Sequence, residues 1–172
     1  ADAAPALRPV LPSVADEIIA TIARDVPEYS RAMEGAFGRT VRSAIEVALG
    51  RFLDSLEDPG AVDEGARDTY VGLGRGELHA GRSLDALLAA YRLGARIAWR
   101  RFAEAGSAAG LPPEALYALA EAIFAYIDAL SAESAEGYAA EQAAEAGERR
   151  RRRRRLVRLL ISDPAPAEAD AA

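Results

Sequence analysis

Few residues in this chain can do covalent or metal chemistry. It holds no cysteine, one histidine (His79) and one methionine (Met33), which excludes disulfides, thiol nucleophiles, thiolate-bound zinc and iron–sulfur clusters. No Ser-His-Asp, Cys-His or two-histidine arrangement can be built around one imidazole. Carboxylate acid–base chemistry needs a pair of acids, and the 27 acids show no spacing that singles one out. The expectation is a protein that is not an enzyme. His79 itself could be the one axial ligand of a haem in a helical sensor. As the plainer alternative, it sits against the last carbonyls of a helix beside Ala80-Gly81. No cofactor and no metal are assigned.

Three further groupings bear on binding rather than catalysis. Gly72, Gly74 and Gly76 fit neither the dinucleotide fingerprint nor the phosphate loop, so they read as helix packing, with Gly72 and Gly76 letting another backbone approach. Arg92, Arg96 and Arg100, four residues apart, form a basic stripe: a solvated or salt-bridged face, or a receiver for an anionic ligand or acidic partner. Ala90, Gly94 and Ala98 form a stripe of small residues that permits close helix approach inside the bundle or across a dimer. Seven consecutive arginines, Arg149, Arg150, Arg151, Arg152, Arg153, Arg154 and Arg155, could neutralise phosphates or lie on an acidic membrane surface. They could equally clothe an exposed helix. Without aromatic or amide side chains among them they cannot read base edges, so specific DNA binding by this chain is not expected.

The elements that must position these residues are helical. The chain has 172 residues, of which 41 are alanine and only 6% aromatic, a composition that favours helices over a β-sandwich. Three prolines in residues 1–12 predict a flexible N-terminal arm. Ser13 as a cap, followed by Val14, Ile18, Ile19 and Ile22, predicts a first helix over Val14–Asp25. Phe37, Val41, Ile45, Leu49, Phe52 and Leu56 predict a second, ending at Glu57-Asp58-Pro59-Gly60, with a short turn at Tyr29 and Met33 before it. A third runs from about Val62 to His79. Ser83 caps a fourth, whose face of Leu84, Leu87, Leu88, Tyr91, Ala95, Ala98 and Phe102 ends in the loop Gly106–Gly110. The last helix starts at Pro112-Pro113 and meets no further proline until Pro164. Its core face is Leu116, Leu119, Ile123, Phe124, Ile127 and Leu130, and beyond Ser131 that face thins to alanines. The fold class is therefore all-α: a bundle of about five helices, globin-like in one version, with a long C-terminal helix leaving it.

Charge divides the chain. Residues 1–148 carry a net −11 and residues 149–172 a net +5, within a total of −6. The expected organisation is an arm over 1–12, a helical sensory and dimerisation body over 13–148, an arginine-rich connecting helix over 149–161, and a linker over 162–172 to a further domain. No apolar run approaches the roughly 18–20 residues of a membrane span, and the start lacks the basic and apolar regions of a signal peptide. A cytoplasmic location away from membranes is expected.

The stretch from Glu77-Leu78-His79-Ala80-Gly81-Arg82-Ser83 through Leu87-Leu88-Ala89-Ala90-Tyr91-Arg92-Leu93-Gly94-Ala95-Arg96 to Trp99 resembles the N-terminal region of actinobacterial PucR-type transcriptional regulators. That region is similar to the N-terminal domain of RsbR-type RsbT co-antagonists. Ala125-Tyr126, Glu133-Ser134 and Arg149–Ile161 extend the likeness, and Leu-Leu-x-Ala-Tyr-Arg-x-Gly is its most specific part. The resemblance implies an all-helical sensory or dimerising module, followed in the full-length chain by a further domain and a C-terminal helix-turn-helix that binds DNA. With the acidic body joined to a bare helix and a linker, the expectation is a non-enzymatic homodimer that answers a small-molecule or protein effector and passes the signal along the last helix to that downstream helix-turn-helix. The alternatives are a stressosome-like scaffold of the RsbR type, or a haem or small-molecule sensor. RsbR-type input domains resemble globins without haem, which lowers the haem reading of His79. Leu87, Leu88, Tyr91, Arg92 and Gly94 are the residues of the shared core, and the resemblance carries no ligand role onto them.

Overall fold

The computed structural model describes residues 3–30, 33, 35–58 and 64–161, and among these the regular structure is helical without a strand. The expected all-α bundle with a long last helix is what forms. Its elements are α1 (Ala4–Leu7), a 3-10 turn (Arg8–Val10), α2 (Leu11–Asp25), α3 (Pro27–Ser30), α4 (Ala36–Glu57), α5 (Glu64–His79), α6 (Leu84–Ala108) and α7 (Pro113–Ile161).

The N-terminal arm is the first correction. Residues from Ala4 onward are helical, and Ala4 and Leu7 are fully buried. Each of Pro5, Pro9 and Pro12 falls in the first turn of its own segment, where a missing N–H breaks no helical bond. α2 consequently begins at Leu11, and Ser13 is not its cap: the Ser13 hydroxyl donates to the Val10 carbonyl at 2.8 Å. Of the predicted linker, residues 162–172 lie outside the described residues, as do Pro59, Gly60 and Val62.

Two helix ends are made by the same device. After α5, Gly81 takes a φ of 70°, so that Arg82 N–H bonds Glu77 C=O at 3.0 Å and Gly81 N–H bonds Leu78 C=O at 3.0 Å, the paired closure that a glycine past the helix end allows. After α6, Gly110 (φ 78°) repeats it onto Gly106 and Ser107. Ser83 caps α6 as expected, accepting from Ala86 N–H at 3.2 Å.

Two packed halves share α6. On one side α2 lies between α4 and α6, burying Val14, Ala15, Ile18 and Ile22 at four-residue steps. On the other, α5 packs along α7. Phe52 of α4 stacks on Phe102 of α6 (ring centres 6.2 Å apart) and tilts against Tyr126 of α7 (5.4 Å), which ties the halves together at one end.

The α5–α7 contact corrects two expectations. Gly72 and Gly76 face open space; a Cβ at Gly74 would instead stand 1.8 Å from the Ser134 carbonyl oxygen, and one at Gly137 2.0 Å from that of Val71. The interlocking pair is Gly74 and Gly137, one from each helix. Nor does the α7 face lose contact beyond Ser131, since Ser134 and Gly137 are buried and Glu141 still bonds His79 and Arg75 of α5. Small residues here are the contact surface, because they let two backbones approach. Phe124 leaves the predicted core face: it is 58% exposed, with Tyr117 at 69%, while Leu119, Ile123 and Leu130 point inward.

α7 is 49 residues long, about 74 Å at 1.5 Å per residue. It also contains an 18-residue window of mean hydropathy 1.4, long and apolar enough by length and composition to cross a membrane, with 17% of that window buried. The interspersed alanines supply this, where the sequence shows no unbroken apolar run.

Candidate functional site

The sparse contact of α4 with α5 and α7 leaves a cavity of about 820 Å³ walled by α2, α4, α5, α6 and α7. It opens to solvent along α4, and a concave, mostly apolar space of this size has the usual form of a small-molecule site. Ile18 and Ile22 of α2, Leu87 of α6 and Leu73 of α5 line it, and α7 contributes Ile123, Tyr126, Ile127 and Leu130. Its rim lies along α4, where the lining residues Arg39, Thr40, Ser43 and Val47 are exposed.

Two polar clusters border the apolar wall. In the first, buried Glu77 accepts from the Tyr29 hydroxyl at 2.8 Å and forms a two-pronged pair with Arg82, at 2.5 Å from Nε and 2.9 Å from Nη2. The Arg82 guanidinium lies over the rings of Tyr29 (5.2 Å) and Phe37 (4.7 Å), so the charge is met by a carboxylate and two π faces. Burial, then the Glu77 charge, pushes the Tyr29 phenol well above its ordinary range, and the hydrogen bond to Glu77 raises Arg82. The paired helix closure at Gly81 returns the chain over Glu77 and so makes this cluster possible.

The second cluster joins four helices, α4, α5, α6 and α7. Ser134 of α7 donates to the Tyr70 carbonyl of α5 at 3.1 Å and therefore accepts from the Tyr91 hydroxyl of α6 at 2.9 Å. Tyr126 donates to the Ala48 carbonyl of α4 at 3.0 Å and so accepts from Tyr70 at 2.5 Å. Burial pushes the Tyr91 phenol up to about 12, opposed by its bond with Ser134. A change in the cavity is thereby in hydrogen-bond contact with α7.

The residues singled out in the sequence fall into distinct places. Leu87, Ala90, Tyr91, Gly94 and Ala98 all line the cavity, whereas Leu88 is half-buried outside that lining. The stripe Ala90-Gly94-Ala98 faces α2 within the bundle, with a Cβ at Gly94 meeting Ile18 at an ordinary 3.7 Å. Arg92, Arg96 and Arg100 are exposed; Arg100 pairs with Glu17 of α2. His79 is 55% exposed, bonds Glu141 through Nε2 at 3.0 Å and lies outside the cavity lining. Among the described residues no group of three or more His, Asp or Glu could hold a metal ion. All seven arginines of the run are exposed, and Arg149, Arg151 and Arg152 pair with Glu145 and Glu148.

Sequence reasoning missed Tyr29, Glu77, Arg82 and Ser134. Glu77, Arg82 and Ser134 stood only within the stretches that carry the family resemblance, which gave them no role; the one local signal was the Gly81 helix stop, which turns the chain so that Arg82 meets Glu77.

No curated protein and no solved structure matches the chain. A family model described as the PucR-like N-terminal domain matches residues 1–161, nearly its whole length. The chain belongs to the PucR-like N-terminal domain family.

Proposed function

We propose that this chain is the sensory and dimerisation domain of a cytoplasmic transcriptional regulator, in which an effector in the cavity alters helix packing and α7 relays the change to a downstream DNA-binding helix-turn-helix. The observation that carries this reading is the continuity of α7. One helix supplies Ile123, Tyr126, Ile127 and Leu130 to the cavity wall and then runs on to Ile161, beyond its last partner on another helix among the described residues, Glu141, with residues 149–159 exposed. A helix stiff over that length converts a shift at one end into a shift at the other. The homodimer is supported by exposed Tyr117 and Phe124, seven residues apart on one helical face.

The test uses the full-length regulator and the occupancy of its own promoter region by footprinting. One alanine inserted after Ala144 turns everything beyond it by about 100°, whereas a seven-residue insertion restores the face to within about 20°. Loss of regulated occupancy with one residue and retention with seven is expected. Equal behaviour of the two insertions overturns the rigid relay. The coding sequence after Ala172 separates the regulator from a stressosome-like scaffold: a helix-turn-helix supports the former, a sulfate-transporter/anti-sigma-antagonist type domain the latter.

A further inference from the structure

We infer that the cavity takes an amphipathic anion, a carboxylate carried on an extended alkyl chain, with the tail among the apolar walls and the carboxylate at the rim beside Arg39. This rests on the reading of the cavity as the effector site and names the class of effector.

Three observations meet here. First, the volume of about 820 Å³ lies in the range of about 300–1,000 Å³ of sites that enclose whole small molecules, and its apolar lining gives water few partners, so an apolar occupant is favoured over solvent. Second, the space is long. Its α4 wall runs from Arg39 to Phe52, about 20 Å along the helix axis, which suits an extended chain better than one compact ring. Third, the charges are sorted by depth. The buried acid in the lining, Glu77, is already matched by Arg82 and Tyr29, so the interior offers no cation or anion to a ligand. The rim carries two guanidiniums of α4, Arg39 and Arg51. Arg51 also reaches Thr69 of α5 at 3.4 Å, while Arg39 is exposed and is in no ion pair among the described residues. An anionic head at the rim and an uncharged tail within is the complementary arrangement.

The experiment measures binding of hexadecanoate, dodecanoate and hexadecan-1-ol, all below their aggregation concentrations, to the 172-residue chain by isothermal titration and by the rise in melting temperature. Two variants accompany the parent: Arg39→Gln at the exposed rim, and Ala98→Trp, which fills the cavity. Hexadecanoate should bind once per chain, and each methylene removed should weaken it about fourfold. The alcohol should bind at least about tenfold more weakly than the carboxylate. Arg39→Gln should erase most of that difference without altering the alcohol, and Ala98→Trp should abolish binding of both. If the alcohol binds as well as the acid and Arg39→Gln changes neither, the anionic class is overturned while the cavity remains a ligand site. If no compound binds and Ala98→Trp melts at or above the parent temperature, the cavity is no ligand site, and the effector reading falls with the proposal. Should Ala98→Trp fail to fold, Leu73→Trp tests the same filling from α5.

Discussion

At the residue scale, glycines separate structure from mere flexibility. Gly74 and Gly137 have no room for a methyl group, because the facing Ser134 and Val71 carbonyl oxygens are backbone and cannot step aside without parting α5 from α7. Alanine at either should cost roughly 1–3 kcal/mol and lower the melting temperature by on the order of 2–10 °C. Gly72 and Gly76 face open space in the same helix, so alanine there should raise stability by about 0.5–1 kcal/mol. Circular-dichroism melts of the four variants check the contrast; destabilisation by all four would place the close approach elsewhere. Tyr91 sets a second residue-scale expectation. Its phenol is pushed up to about 12 by burial, above the unfolded value of about 10, so the proton is held more tightly in the folded state. The stability this contributes is fully present below about pH 10 and is lost as the pH rises toward 12. Urea melts at about pH 9 and about pH 11 should therefore show weakening at the alkaline value. Tyr91→Phe should reduce that slope by up to about 1.4 kcal/mol per pH unit.

At the scale of elements, α7 is two helices in energetic terms though one in geometry. Up to Glu141 it is wedged against α5 and α6; among the described residues, none of its later side chains bonds another helix. What holds the later part helical is its own pattern: Glu145 with Arg149, and Glu148 with Arg151 and Arg152, exposed pairs worth about 0.2–0.5 kcal/mol each. Ending the chain before Arg149 should leave the melting temperature of the remainder within about 2 °C, since no buried surface is removed. A fall of more than about 5 °C would mean that the arginine segment folds back onto the body. The same division explains why the N-terminal prolines mislead: a proline ends a helix from inside but starts one from its first turn, and only the burial of Ala4 and Leu7 against the bundle decides which applies.

At the scale of the whole molecule, the outward face of α7 is what the bundle leaves uncovered. Tyr117 and Phe124 stand exposed on a helix whose neighbouring outward positions include Ala118, Ala125, Ala129 and Ala132. A face of this kind calls for a partner helix of similar smallness. Sedimentation equilibrium should report a dimer, and Phe124→Glu should shift it toward monomer without loss of helical circular dichroism. A parent chain that stays monomeric at high concentration removes this face as the dimer contact. The distribution of charge belongs to this scale too. An acidic body attracts a basic extension, so it is the continuity of α7 and its own Glu145 and Glu148 pairs that hold the arginines out along the helix.

Much of this protein follows from its sequence alone. Alanine-rich periodicity makes helices unavoidable, Ser83, Gly81, Gly110 and Pro113 mark where they begin and stop, and the lack of cysteine with a single histidine removes most covalent chemistry. These are local effects, decided by backbone freedom and side-chain type within a turn or two. On α6 the same local periodicity puts Leu87 and Tyr91 in the cavity lining, with Tyr91 also bonded to Ser134 of α7, while Leu88 lies outside it. What tertiary structure alone decided concerns pairs far apart in the chain. Gly74 meets Ser134 rather than Gly72 meeting a neighbour, Glu77 is buried and matched, and Phe124 turns outward one residue from buried Ile123. The cavity is the clearest case. It exists because α4 packs on α2 and stands off from α5 and α7, and no local rule of spacing or propensity encodes the space that two helices leave between them.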